Sequence, residues 1–154
     1  MSKIALGFGT ILLCAVAGAV TPSGVTVTNL SCESLTNPLG MDVATPRLGW
    51  ILQSAVRGEK QTAFQILVAS TQDLLAADTG DLWDSGKVDS DQSIQVPYAG
   101  APLSSFQTCF WKVRVWNKDT IPGPWSTPAL WTMGVLKQDD WGNAQWIGLS
   151  AGET

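Results

Sequence analysis

Residues 108–117, TCFWKVRVWN, admit one regular conformation and thereby constrain the rest of the chain. Cys109, Trp111, Val113 and Val115 fall on one side of a two-residue period, while Lys112 and Arg114 fall on the other, between Phe110 and Trp116. A helix would mix these two sets around its circumference, so the pattern reads as a β-strand with Trp111 as a core anchor. The opposite face combines cationic heads with two large aromatics. That suits a half-exposed sheet surface on which Lys and Arg stems lie over ring edges.

The flanking sequence supplies partners for this strand. Residues 25–32, VTVTNLSC, alternate apolar and Thr positions and form a first strand that ends before the turn signals Asn37-Pro38 and Gly40. After Pro46, Leu48, Trp50 and Leu52 share one face of a second strand, with Ile51 and Gln53 on the other. Phe64, Ile66 and Val68 define a third strand, and Leu67 on its other face implies partial cover there too. Residues 70–77 are a short connector helix, with Ser70 as the expected cap and Asp73 answering it three positions on. Residues 81–88 read as a short edge strand with a Ser-Gly turn, and residues 93–96 as another short strand closed by Pro97. Residues 127–133 complete the set, with Ala129, Trp131 and Met133 on one face. Several short strands and very little helix specify an all-β, two-sheet antiparallel sandwich, with a small barrel as the competing architecture. Its expected inter-sheet core is Trp50, Phe64, Ile66, Trp111, Val113 and Val115.

Composition narrows the function. The chain has 154 residues, enough for one domain and too few for a sandwich plus a full catalytic domain. Eight tryptophans and 14% charged residues mark a folded protein. The net charge of −4, without any Lys/Arg cluster, argues against nucleic acid as a partner. Histidine is absent, which removes imidazole bases, His-ligated metals and a pH switch near neutrality. No cofactor or metal is expected.

The opening MSKIALGFGTILLCAVAGAV has one Lys, an apolar run and then small residues, the pattern of a secretory signal peptide over residues 1–19, cleaved near Ala17 or Ala19. A membrane anchor is the alternative reading of that run. Leu13 before Cys14 makes Cys14 a poor lipid-attachment site. A secreted or periplasmic chain, free of the membrane once the leader is removed, would retain Cys32 and Cys109. These are either bridged or two separately buried thiols. Asn29-Leu30-Ser31 is an N-glycosylation sequon. Trp141, Trp146 and Ile147 form an apolar group in the tail, as though residues 135–154 were a linker and the truncated start of a second domain.

No constellation for catalysis emerges. Sugar hydrolysis requires one protonated and one ionised carboxyl at a set spacing. Asp139 and Asp140 are adjacent, and Asp81, Asp84, Asp89 and Asp91 crowd an edge strand, so solvated turns account for them. Ser85 and Ser104 lack an activating base. The tryptophans offer a different role, since indole faces stack on the C–H faces of sugar rings. Trp83, Trp116, Trp125 and Trp141 are the least securely core-facing candidates, with packing as the competing explanation.

In order along the chain, NLSCESLTNPLGMDVATPRLGWIL, QTAFQILVAS, LWDSGKV, YAGAPL, FWKVRVWNKD, PWS, WTMG and WGNAQWIG resemble the N-terminal region of the large secreted α-L-rhamnosidases of glycoside hydrolase family 78. The resemblance runs from about residue 25 to residue 148. It implies an Ig-like or fibronectin type III-like sandwich over residues 25–134, with WGNAQWIG opening a following β domain. The family hydrolyses terminal α-L-rhamnose with inversion, using a carboxylate acid and base on a much later (α/α)6 barrel. None of those residues has a counterpart here, so the resemblance implies a non-catalytic module. Its partners would be the downstream domains and the rhamnose-containing glycans of plants or microbes. A free-standing carbohydrate-binding or adhesion module is the alternative. Clustered coplanar tryptophans on one exposed face would mark binding, whereas an apolar patch flanked by both termini would mark domain packing.

Overall fold

The computed structural model describes residues 24–145. The expected leader at residues 1–19, with Cys14, and the tail residues Trp146 and Ile147 lie outside the described residues. The strands are β1 (Val25–Cys32), β2 (Arg47–Ser54), β3 (Ala63–Ala69), β4 (Trp83–Asp84), β5 (Val96–Pro97), β6 (Thr108–Trp116) and β7 (Ala129–Thr132). One α-helix, α1 (Gln72–Ala76), joins β3 to β4, and a 3₁₀ turn at Gln138–Trp141 follows β7. Antiparallel pairing gives a three-stranded sheet in the order β1-β2-β5 and a four-stranded sheet in the order β4-β3-β6-β7. The architecture is an Ig-like sandwich.

The register explains the core. Phe64, Ile66 and Val68 of β3 stand opposite Val115, Val113 and Trp111 of β6, so each apolar residue of one strand meets one of the other. Both sets face β1 and β2, whose Val25, Val27, Leu48 and Trp50 close the opposite side of one buried cluster. All six expected core residues belong to it. Trp50 meets Phe64 edge-on with ring centroids 5.2 Å apart. Its indole N–H donates to Gln61 Oε1 at 3.0 Å, and the Gln61 amide in turn donates to the carbonyls of Ser90 and Gln92. A buried polar side chain thereby satisfies its own groups and pins the loop before β5 to the core.

Several local expectations change. Thr71, not Ser70, caps α1, because its hydroxyl is the one positioned to accept from the Leu74 amide three residues on. Ser70 is held instead by the Asp81 carboxylate, through both its amide and its hydroxyl. The edge strand expected over residues 81–88 shrinks to Trp83–Asp84, since the Ser85 hydroxyl takes the Ile66 amide and Gly86 turns at a φ of 59°. The strand expected over residues 93–96 moves to Val96–Pro97. Gln95 adopts a left-handed φ of 54° that breaks extended pairing, and only the Ser93 carbonyl reaches the Trp50 amide. Pro97 is tolerated because β5 is an edge strand.

Lys112 departs most from its expected half-exposed setting and is only 6% accessible. Leu67, Ala69 and Leu75 make a second small cluster between α1 and the outer face of β3, with Leu74, Phe110 and Trp125 packed against it. Lys112 lies beneath that cover, donating from Nζ to the Leu75 carbonyl at 2.6 Å and to the Asp78 carboxylate. Helix α1 is too short to be stable alone, and this cation adds a charged bond to its C-terminal Leu75 carbonyl, which also accepts from the Asp78 amide.

The sandwich has two distinct ends. Val25 pairs with Ser54 at the first, where the Glu59 carboxylate also accepts from the Lys118 amide in the loop after β6. At the second, Met41 bridges Met133 and the Phe106 amide donates to the Gly134 carbonyl. The described chain enters at the first end and runs on from β7 at the second.

Candidate functional site

The outer face of the four-stranded sheet carries a ladder of alternating cations and indoles. Lys87 lies over Trp116 at 5.6 Å, Arg114 over Trp116 at 5.1 Å and over Trp125 at 4.6 Å, and Lys112 over Trp125 at 5.0 Å. Strand periodicity builds this arrangement, since 112, 114 and 116 project on the same side of β6. Arg114 is fixed further by two bonds to Gln65 Oε1, and the Gln65 amide donates to Asp84. A guanidinium sandwiched between two rings occupies the surface a sugar would use. Trp116 and Trp125 therefore cluster on one face, yet their rings are already engaged.

The other two tryptophans differ. Trp83 is half-buried against the main core and meets Tyr98 edge-on at 5.4 Å. Trp141, 55% accessible, is the most exposed of the stacking candidates. Asn29 is exposed at the register shift between Thr28 and Ser31 in β1, an edge strand, with a left-handed φ of 50°.

Asp81, Asp84 and Asp140 serve as turn pins. Asp84 accepts from the Gly86 amide and Gln65, Asp81 holds Ser70, and Asp89 pairs with Lys87 in solvent. Asp140 accepts from the Ser105 hydroxyl. Shallow grooves of about 190, 220 and 270 Å³ contain Glu33, Glu59 and Asp140 respectively, a single carboxylate in each. Glu33 is committed to a bidentate pair with Arg47, and this hydrogen bonding holds its carboxyl below the usual range. Inverting hydrolysis needs two carboxyls facing one sugar, and these grooves do not bring two together. Among the described residues, no group of His, Cys, Asp or Glu is arranged to hold a metal ion, and no helix is long and apolar enough to cross a membrane.

Cys32 and Cys109 are free, buried thiols in the inter-sheet core. Burial, with the Glu33 charge adding to it, pushes Cys32 up to about 12, and burial chiefly does the same to Cys109. Tyr98 is also pushed up to about 12 by burial, its hydroxyl donating to the Ala101 carbonyl at 2.8 Å. Thiols held in this way are protonated packing groups, not nucleophiles.

Sequence reasoning passed over the second end of the sandwich. Leu39 is 75% and Phe106 65% accessible there. Backbone bonds gather them: the Thr132 amide donates to the Pro38 carbonyl, Gly134 to Met41, and Phe106 to Gly134. The approach is so close that a Cβ on Gly134 would lie 2.8 Å from the Gly40 carbonyl oxygen. The Leu136 amide and the Asp140 carboxylate both bind the Ser105 hydroxyl, which ties the 3₁₀ turn that ends at Trp141 to this end. This apolar end adjoins the C-terminal side of the described chain only, whereas the N-terminal side lies at the other end.

Comparison with known proteins places this geometry. A family model described as the Rha78A-like, N-terminal immunoglobulin domain matches residues 27–137. The chain belongs to this family. An α-L-rhamnosidase from Streptomyces avermitilis is 45% identical over 129 residues, covering 84% of this chain and 12% of that protein. One from Formosa agariphila is 39% identical over 114 residues, covering 74% and 12%. The crystal structure of a Streptomyces avermitilis α-L-rhamnosidase complexed with L-rhamnose superposes with a TM-score of 0.73 at 45% identity, over 77% of this chain and 11% of that one. The Ig module thus spans about an eighth of the length of the rhamnosidases it matches.

Proposed function

We propose that this Ig module is the non-catalytic N-terminal part of a secreted α-L-rhamnosidase-like glycoside hydrolase, packing against and positioning its neighbouring domains. The observation that carries this reading is the division of labour across the chain. Aromatic and cationic side chains on the sheet face engage one another, Asp81 and Asp84 are engaged by turns, and large apolar side chains, Leu39 and Phe106 among them, stay exposed. In this reading residues 1–19 are a leader, residues 25–134 the sandwich, and residues 135–154 the passage into a following β domain. Hydrolysis of rhamnosides belongs to that later polypeptide.

The test is calorimetric. A chimaera in which this chain replaces the matched stretch of the Streptomyces avermitilis enzyme is melted beside the 154-residue chain alone. Packing predicts a higher module transition in the chimaera, because contacts made only by the folded module add to its stability. Identical transitions would contradict it.

A second reading is favoured by Trp141, whose indole is 55% accessible and which follows Asp140, a lining residue of the shallow groove of about 270 Å³. Weak stacking of a rhamnose-containing glycan there requires saturable quenching of Trp141 fluorescence that disappears in Trp141→Ala. Trp83, Trp116 and Trp125 are weaker candidates, since other side chains already occupy their surroundings. Flat binding titrations would remove this reading.

A further inference from the structure

Resting on that packing role, we infer that the second end of the sandwich is the docking face for the domain that follows, and that Leu39, Phe106 and Trp141 are the anchors it covers. Leu39 and Phe106 sit on segments that flank Gly134 on either side. They are therefore separated by about two strand spacings, or ~10 Å. The bond from Ser105 to Asp140 anchors the 3₁₀ turn that carries Trp141 at the same end. Between loop 103–106 and residues 136–140 runs a shallow groove of about 270 Å³, with Leu103, Phe106 and Leu136 as its apolar lining.

Phe106 supplies a second, independent argument. It is both largely exposed and held at a left-handed φ of 64°. Neither condition suits a bulky aromatic residue, and Gly or Asn would adopt the same backbone with less strain. A residue disfavoured by its own backbone and by water is accounted for by a partner that covers it.

The direction of the chain selects the partner. The family is that of an N-terminal domain, and the module accounts for 12% of the matched rhamnosidases, so in such proteins a large polypeptide continues past residue 145. Of the residues leading to that point, Leu136, Lys137 and Asp140 line the groove at this end. The other end presents Arg57, Glu59, Lys60, Lys118 and Asp119 to solvent or to each other around an exposed Val56, a more charged surface than the second end. The next domain therefore meets the module with an apolar surface of its own, shaped to take a protruding aromatic ring.

The experiment is amide hydrogen exchange on the 154-residue chain alone and on the same chimaera. Docking here predicts that peptides covering 103–107 and 135–141 exchange roughly ten-fold or more slowly in the chimaera, while those covering 55–60 do not change. The double substitution Leu39→Ser with Phe106→Asn should abolish that slowing yet leave exchange in β6 intact, since Asn accepts the left-handed backbone. Slowing confined to another face, or slowing that survives the double substitution, overturns this inference and leaves the packing role standing. Absence of slowing anywhere in the module overturns both.

Discussion

Trp111, Gln61 and the two thiols show what single residues contribute. Trp111 is fully buried between the sheets, so Trp111→Ala should cost about 3–5 kcal/mol in denaturant melts, through lost transfer energy and the cavity left behind. A loss below about 1 kcal/mol would mean it is not an anchor. Burial also dictates a pH dependence. Cys32 and Cys109 shift from 9.0 to about 12, and Tyr98 from 10.0 to about 12. Above the ordinary values the unfolded chain sheds these protons while the folded chain keeps them, so stability is complete below about pH 9 and declines as pH rises towards 12. Melts from pH 7 to 11 should show this decline, and Cys32→Ala with Cys109→Ala should flatten it. An unchanged slope in that variant would assign the effect elsewhere. The anchors were legible in the sequence because burial on one face of a strand leaves a two-residue period. Gln61 was not, since its partners are backbone carbonyls 29 and 31 residues away and nothing local announces them.

At the scale of elements, the β3–β6 pair was readable and the edges were not. Long central strands carry alternation on both faces, whereas β4 and β5 have two residues each and are set by pairing to neighbours. The burial of Lys112 depended on knowing that α1 folds back over β6. Its alternation with Arg114 and Trp116 points to stems over the ring edges of Phe110 and Trp116; Arg114 does lie over Trp116, but Lys112 lies over Trp125 beneath a helix lid that strand periodicity does not report. Lys112→Met keeps the apolar stem and removes the bonds to the Leu75 carbonyl and Asp78. It should destabilise the domain by about 1–3 kcal/mol. Hydrogen exchange at the α1 amides should rise more than at those of β6. Equal stability and equal exchange would show that the cation is incidental to α1.

For the whole molecule, the fold class could be read from the element pattern and the family from the ordered series of motifs, yet the apolar end could not. Leu39, Phe106 and Trp141 are far apart in sequence and lie outside the strands, where no period reports exposure; pairing around Gly134 brings the segments of Leu39 and Phe106 together, and the Ser105–Asp140 bond ties in the turn that carries Trp141. The stacking candidates were likewise undifferentiated until the ladder showed which rings are taken. Among the described residues, the shallow grooves that contain Glu33, Glu59 and Asp140 hold one carboxylate each, so none of these three sets one protonated acid opposite a second, ionised one. The most direct test of the account is whether the purified 154-residue chain releases the aryl group from an aryl α-L-rhamnoside between about pH 4 and 7, the range in which a carboxylate pair would work. The expected result is no turnover above buffer, with Asp84→Asn, Asp139→Asn and Asp140→Asn indistinguishable from the parent. Turnover that follows the protein through purification and vanishes in one of those variants would contradict it.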